Sequence, residues 1–260
     1  MKELIFFDVD DTLLDSKTHK IPQNTLDTIH EMANYYEIGI ATGRSLSTLL
    51  ENGVADAFTW SVFVCNNGQL VYDKNKEVYY SSPLSDDIVQ KIINTAKAHH
   101  EPLLAGIPRW CQINEANHNQ RIAHSFFHMD IPKETLPSDA EVYMFVAFGE
   151  KDSDYDKYRC IKGIQVMSGQ SNYCDIIAEN SGKDIGIQEA LKLFHQKSYI
   201  AFGDSDNDIT MLKNSRYAIA MGQGSKAAKQ NADFITKPVF EDGIAYAWKH
   251  CPIFQIHHRK

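Results

Sequence analysis

The sequence predicts a doubly wound α/β fold with a mostly parallel sheet, interrupted by an inserted α+β domain. Three observations carry that reading. Short apolar runs at Leu4–Phe7, Ile38–Ala41, Val62–Cys65 and Tyr199–Phe202 each stop abruptly in a polar cluster. Strands buried on both faces of a parallel sheet read this way. Segments of helical period lie between them, giving the strand–helix–strand alternation of the class. The stretch from about Ser82 to Ser181 differs in character, mixing helical segments with longer β-rich runs. The expected organisation is therefore a core of residues 1–81 and 182–260 with an insertion of residues 82–181.

The first strand, Leu4–Phe7, ends in Asp8-Val9-Asp10-Asp11-Thr12. After Pro22, whose fixed φ suits a first helical turn, Leu26, Ile29 and Met32-Ala33 share one face and predict a helix. The second strand, Ile38–Ala41, ends in Thr42-Gly43-Arg44, and the third, Val62–Cys65, in Asn66-Asn67-Gly68. Asn67-Gly68 ahead of Leu70-Val71-Tyr72 is a hairpin-turn signal. In the insertion, Ile88, Ile92 and Ile93 predict one helix and Arg121–His128 another. Strands are expected there at Glu141–Phe148, Ile164–Met167 and Tyr173–Ile177. The core pattern returns with amphipathic Lys183–Phe194, the strand Tyr199–Phe202, and Gly203-Asp204-Ser205-Asp206-Asn207-Asp208. A helix over Ile209–Lys213, a strand over Tyr217–Ala220 and further alternation to Trp248 follow. Ile256–Lys260 reads as an exposed tail.

Of the 260 residues 43% are hydrophobic, which supplies a core and excludes a wholly disordered or collagen-like chain. Lys and Arg number 26 against 34 Asp and Glu, a formal charge of -8. Such a chain is a poor partner for nucleic-acid backbones or anionic membranes, although a local basic pocket for a small anion remains compatible with it. Cys65, Cys111, Cys160, Cys174 and Cys251 are odd in number and form no C-x-x-C pair, so neither a zinc knuckle nor a disulfide framework is expected. The N-terminal apolar run is shorter than a signal peptide requires and lacks a small-residue cleavage site. No apolar run approaches the ~20 residues of a membrane span. A cytoplasmic protein is expected, and its oligomeric state is left open.

In open parallel sheets ligands sit outside the carboxyl ends of the strands. Asp8/Asp10, Thr42-Gly43-Arg44, Asn66-Asn67 and Asp204/Asp208 all fall at such ends. Four carboxylates converging on one crevice would repel one another and push some pKa values up. A hard divalent cation resolves that conflict, and Mg2+ takes carboxylate together with phosphate oxygens. Lys183, at a helix start, can balance charge from the other side. Thr42 offers a hydroxyl donor, and the Gly43 backbone N–H can approach an anion closely. Taken singly, each Asp pair reads as a turn with a helix cap, and Lys183 as a solvated helix residue. Their joint occurrence, each Asp pair after an apolar strand, points to a shared site.

Asp8-Val9-Asp10-Asp11-Thr12-Leu13, Thr42-Gly43-Arg44, Lys183 and Gly203-Asp204-Ser205-Asp206-Asn207-Asp208, in this order, resemble the haloacid dehalogenase (HAD) superfamily. Their spacing is similar to that of its Cof-type (subclass IIB) phosphatases, which carry a large α+β cap between the second and third motifs. The likeness extends to Ala220-Met221-Gly222 and Ala232–Thr236, and so covers nearly the whole chain. It implies a HAD-like Rossmannoid core, and a phosphoric monoester hydrolase that uses Mg2+ on small phosphorylated metabolites, sugar phosphates first. By the same resemblance Asp8 is the nucleophile that forms an aspartyl-phosphate, and Asp10 is the general acid and base. Asp8, the Asp10 backbone carbonyl and Asp204 would hold Mg2+, with Asp208 steadying the metal site. The Val9 amide, Thr42, Gly43, Lys183 and Asn207 would hold the phosphoryl oxygens. Asp11 stands where the family often has Gly, and Gln223 where it often has Asn.

With the core devoted to phosphate and metal, substrate selection falls to the inserted cap. Arg109, Trp110, Gln112 and Asn114 form a polar-aromatic segment there, and Arg109 and Trp110 join Arg44 and Asn67 as candidate substrate contacts. Trp110 has the alternative of packing within the cap. His124 and His128, at i and i+4, form a candidate metal pair without a nearby third ligand. His99-His100 and His257-His258 read as exposed. Two other activities share the motifs. A phosphomutase returns the aspartyl-phosphate to substrate, and a non-enzymatic phosphorylation-sensing module groups Asp, Thr and Lys around Mg2+ in a domain of the common ~100–150-residue size.

Overall fold

The computed structural model describes residues 2–127, 129–169 and 171–257, and thirteen strands follow one another among these described residues. They are β1 Glu3–Phe7, β2 Tyr36–Ala41, β3 Val62–Cys65, β4 Leu70–Asp73, β5 Val78–Ser81, β6 Leu103–Gly106, β7 Trp110–Ile113, β8 Met144–Phe148, β9 Ile164–Ser168, β10 Tyr173–Ala178, β11 Tyr199–Gly203, β12 Tyr217–Ala220 and β13 Phe234–Ile235. The helices are α1 Gln23–Met32, α2 Leu46–Glu51, α3 Asp86–Ala98, α4 His118–Phe127, α5 Asp156–Arg159, α6 Lys183–Leu193, α7 Ile209–Asn214, α8 Lys226–Gln230 and α9 Gly243–His250. Two compact units result: Met1–Arg44, Leu49–Tyr80 and Gly182–Lys260 form one, Ser45–Thr48 and Ser81–Ser181 the other.

The first unit is built on an eight-stranded sheet in the order β13-β12-β11-β1-β2-β3-β4-β5. From β13 to β3 every neighbouring pair is parallel, while β4 returns antiparallel to β3. The apolar runs explain the central position of β1. Leu4, Ile5, Phe6 and Phe7 are all fully buried, so this strand needs cover on both faces. Phe7 pairs with Phe202 of β11 on one side and Ile40 of β2 on the other. The chain therefore leaves β1, β2, β3 and β11 at one edge of the sheet, where the order switches sides. On one face Ile187, Ala190 and Leu191 of α6 and Met211 and Leu212 of α7 pack against Leu4, Phe6, Val62, Val64 and Ala201.

The second unit has its own antiparallel sheet, β7-β6-β8-β10-β9. Period-two alternation sorts its side chains. Leu103, Ala105, Phe145, Ala147, Cys174 and Ile176 face a core closed by Val89, Ile92, Ile93 and Ala96 of α3 and by Tyr155 and Tyr158. Leu104 and Phe148 face the opposite way, toward Ala123 of α4, with Trp110, Val146 and Tyr173 beside them.

Several local expectations change. The strand expected over Glu141–Phe148 begins only at Met144, and the helix expected over Arg121–His128 starts at His118. His128 lies outside the described residues. β6 and β7 form a hairpin that short runs around Pro108 concealed, and Arg109 to Asn114, read as one polar-aromatic segment, spans its return strand. β5, whose side chains are mostly exposed, carried no apolar run to reveal it. The exposed tail is corrected in part. Pro252–His257 is a 3-10 turn with Phe254 buried among Phe202, Tyr36 and Trp248. His257, half-buried, bonds the Tyr36 hydroxyl at 2.9 Å and lies against the Tyr35 ring, because its aromatic body finds cover there. Ile256 is exposed, and His258 to Lys260 lie outside the described residues. His99 and His100 are exposed. All five cysteines are free, and only Cys160 is exposed.

Candidate active site

The polar residues that end β1, β2, β3 and β11 meet at the edge where the sheet switches direction. Asp8 continues β1 and is pinned there by its backbone N–H bond to Phe202. Lys183, the first residue of α6, is fully buried and donates to Asp8 Oδ1 at 2.5 Å and to Asp208 Oδ1 at 2.6 Å. Close packing of backbone puts it there. Gly68, at φ +94, leaves no room for a side chain against the Gly182 carbonyl, so the turn after β3 seats the start of α6 directly.

Asp208 is fixed by the loop it closes. Its Oδ2 accepts the backbone N–H groups of Asp204 (2.9 Å) and Ser205 (3.0 Å), and a Cβ on Gly203 would lie 2.7 Å from its carboxyl carbon. Asp204, also buried, accepts the Thr12 hydroxyl at 3.2 Å. Oxygens of Asp8, Asp204 and Asp208 all lie within 4.8 Å of one another, the one such acidic group among the described residues.

Charge in this cluster does not balance. Counted as ionised, three carboxylates face one ammonium, a formal excess of two negative charges and the complement of one divalent cation. Burial, then repulsion from Asp208, pushes the Asp8 carboxyl up to about 7, although Lys183 pulls it down. Burial, then Asp208, Asp8 and Asp11, raises Asp204 well above the carboxylate range. Burial alone would lower Lys183, but Asp208 and Asp8 outweigh it and hold the ammonium protonated. Oxygen donors with an excess of two negative charges fit a hard divalent cation such as Mg2+. Asp8 and Asp204 would be better placed to hold it than Asp208, both of whose oxygens are already engaged.

Asp10, half-exposed, is bound bidentately by Arg44, Nε to Oδ2 at 2.9 Å and Nη2 to Oδ1 at 2.6 Å. Burial raises the Asp10 carboxyl, but the charge and hydrogen bonds of Arg44 prevail and leave it below its ordinary value. Arg44, read from sequence as a candidate substrate contact, thus holds Asp10. Thr42 is buried and its hydroxyl accepts the Arg44 N–H at 3.1 Å. Asn67, at φ 52, accepts from Asn207 at 3.3 Å, and its side-chain amide lies where a Cβ on Gly43 would come within 3.2 Å. Val9 is buried, and its carbonyl accepts the N–H groups of Leu13 and Leu14, folding the turn back on itself.

Arg109 and Trp110 belong to the second unit. Arg109 is exposed at the β6–β7 turn, and the half-buried Trp110 donates its indole N–H to Thr48 at 3.1 Å. The His124 ring is committed elsewhere. Its Nδ1 faces the Met129 and Asp130 carbonyls at 3.2 and 3.1 Å and must carry the proton, and its Nε2 faces the Gln120 amide at 3.5 Å. Sequence reading missed the Arg44–Asp10 pair and the part played by Thr12 and Ser205. For the last, the Ser205-x-x-Asp208 spacing of a capping box was the available signal.

Residues 5–248 match the family described as haloacid dehalogenase-like hydrolase. The chain is 28% identical to YkrA of Bacillus subtilis (strain 168) over 253 residues, 95% of this chain and 96% of YkrA. It is 27% identical to the 5-amino-6-(5-phospho-D-ribitylamino)uracil phosphatase YitU of the same organism, over 93% of this chain and 94% of YitU. Among solved structures, the HAD subclass IIB sugar phosphatase BT4131 superposes with a TM-score of 0.83 at 26% identity, covering 96% of this chain and 98% of BT4131. No helix among the described residues is long and apolar enough to cross a membrane.

Proposed function

The chain belongs to the haloacid dehalogenase-like hydrolases of the Cof type and is a phosphatase, and on that premise we propose that it hydrolyses small phosphorylated metabolites, sugar phosphates foremost, with Mg2+ and a covalent intermediate on Asp8. The observation that carries the proposal is the buried cluster in which Lys183 bonds both Asp8 and Asp208 while Asp204 stands within 4.8 Å. The sugar-phosphate assignment draws support from the names of two relatives, a sugar phosphatase and a phosphatase of a phosphoribityl compound.

In the proposed reaction an Asp8 carboxylate oxygen attacks phosphorus, and the bond from phosphorus to the ester oxygen breaks. Asp10, carrying a proton, gives it to that leaving oxygen as the electron pair arrives. Asp10, now ionised, takes a proton from water, and the water oxygen attacks the phosphoryl group. The bond to Asp8 breaks, so inorganic phosphate leaves, Asp8 is again a carboxylate and Asp10 again holds a proton. Splitting one hard displacement in two is the gain of a covalent route. Arg44 holds Asp10 ionised, the form the second step uses, and must release it for Asp10 to carry the proton of the first. Lys183, Thr42, Asn207 and the backbone N–H groups of Val9 and Gly43 would donate to phosphoryl oxygens, where fixed donors stabilise spreading charge. Mg2+, held by Asp8, the Asp10 carbonyl and Asp204 and steadied by Asp208, would supply positive charge that lessens repulsion between nucleophile and phosphoryl group. Residues 82–181, as a cap, would select the leaving group, with Arg109 and Trp110 as its candidate contacts.

The test is phosphate release from a panel of sugar phosphates and nucleotides, with and without Mg2+. Asp8→Asn should fold normally and lose turnover by about 10⁴-fold or more, as loss of a nucleophile does elsewhere. Isomerised sugar phosphate without free phosphate would mark a mutase. A phospho-Asp8 lasting hours would mark a sensing module. Phosphate release retained in Asp8→Asn would contradict the mechanism.

A further inference from the structure

The turn Met221–Ser225, which follows β12, touches both acidic loops of the candidate site. On one side Ser225 donates its backbone N–H to the Asp204 carbonyl at 2.7 Å, and a Cβ on Gly224 would come within 2.8 Å of that same oxygen. On the other side Gln223 reaches toward the turn after β1. Its amide N–H donates to the backbone carbonyl of Asp11, while its Oε1 accepts the Val239 N–H at 3.2 Å. The turn that bears Gln223 is itself held, by Gly224 N–H to the Met221 carbonyl (2.9 Å) and Gly222 N–H to the Lys237 carbonyl (3.1 Å). A Cβ on Gly222 would stand 2.6 Å from the Pro238 nitrogen, so it has little freedom to move.

Asp11 needs such support. It sits directly after Asp10 at φ 54, a left-handed conformation that side chains other than glycine adopt at some cost, though Asp tolerates it better than most. Its own carboxylate accepts the Ser16 N–H, at a long 3.3 Å. The side chain that secures the Asp11 carbonyl must donate at one end and accept at the other, and among side chains of this size the amide does both.

We propose that Gln223 is a positioning residue, fixing the turn that carries Asp8 and Asp10 in register with the loop that carries Asp204. Asp11 and Gln223 are then one device, an unusual turn conformation and the side chain that holds it. The inference rests on the phosphatase mechanism for its kinetic consequence and on hydrogen bonding alone for its structural one.

Two variants separate those arms. Gln223→Leu removes both bonds at similar volume. Gln223→Glu keeps an acceptor for Val239 and sets a carboxylate oxygen against the Asp11 carbonyl. Each is assayed with p-nitrophenyl phosphate and Mg2+, and by amide hydrogen exchange over residues 8–15 and, as a control, residues 88–98. In both variants exchange over 8–15 should quicken with 88–98 unchanged, and kcat should fall about 10- to 100-fold, as small misplacements of reacting groups cost, with KM within about two-fold. Unchanged exchange over 8–15 would overturn the inference whether or not the wild type turns over substrate. Faster exchange with wild-type kcat, or a rise in KM alone, would overturn the positioning role. Quickened exchange over both segments would mark general destabilisation and overturn it too. A wild type that releases no phosphate would refute the phosphatase mechanism, while the exchange result still judges the bracket.

Discussion

Both units bury polar side chains, and they do so in opposite ways. In the first, Asp8, Asp204 and Asp208 crowd around Lys183, and negative charge exceeds positive. In the second, Gln112 and Gln120 exchange amide bonds in both directions, at 3.0 and 2.7 Å, and Gln120 meets a His124 whose other nitrogen lies on backbone carbonyls. Burial holds His124 below the ordinary imidazole range despite those carbonyls, so the ring stays neutral near pH 7. The neutral network satisfies itself and needs no ligand to explain it. The charged cluster does not, and that difference, more than polarity or burial as such, marks where chemistry belongs.

Removing Lys183 should break the comparison most severely. Lys183→Met leaves three buried carboxylates without their cation, at a cost of about 3–5 kcal/mol in unfolding free energy near neutral pH. Denaturant melts would measure it. Turnover should fall about 100- to 1000-fold, the usual range for a lost charge-stabilising donor. A Lys183→Met protein as stable as the wild type would mean that the cluster is relieved by some other route. Gln120→Leu should cost less, about 1–3 kcal/mol for stranding the Gln112 amide and the His124 nitrogen. Because the second network carries no charge excess, that loss should not change with added Mg2+.

The two clusters should also respond to acid with opposite signs. Asp8 and Asp204 have raised folded-state values, so the folded chain holds more protons than the unfolded one from about pH 4 to about 7. Their contribution to stability is therefore lost as pH rises through that window. His124 has a lowered value, so its contribution is present above the unfolded value near 6.5 and is lost as pH falls below it. Residue-level hydrogen exchange between pH 7 and 5 in metal-free protein should then show α6 better protected and α4 less protected. Loss of protection in both, or gain in both, would remove the distinction.

Elements made of short apolar runs were legible because both faces of a central parallel strand must be covered. Val62–Cys65 and Tyr217–Ala220 are strands at the ends the sequence suggested. β6 and β7 were not, since Leu103–Gly106 and Trp110–Ile113 owe their place to a hairpin across Pro108 and to the pairing of β6 with β8 from further along the chain. At the site, strand-end position was enough to group Asp8, Thr42, Asn67 and Asp204. It could not say that Arg44 turns onto Asp10, nor that Gln223 meets Asp11 across more than two hundred residues of sequence. Side-chain pairing of that kind depends on the register of separate turns, which no local pattern encodes.

On the mechanism proposed above, the carboxylates of Asp8 and Asp204, more than Lys183 can balance, hold a divalent cation. Calorimetric titration of Mg2+ at pH 7, repeated in buffers of different ionisation enthalpy, tests it most directly. One ion should bind per chain with release of protons, because carboxyls whose values burial has raised must ionise to coordinate it, and Asp204→Asn should abolish both. Mg2+ binding without proton release, or binding that survives Asp204→Asn unchanged, would contradict it.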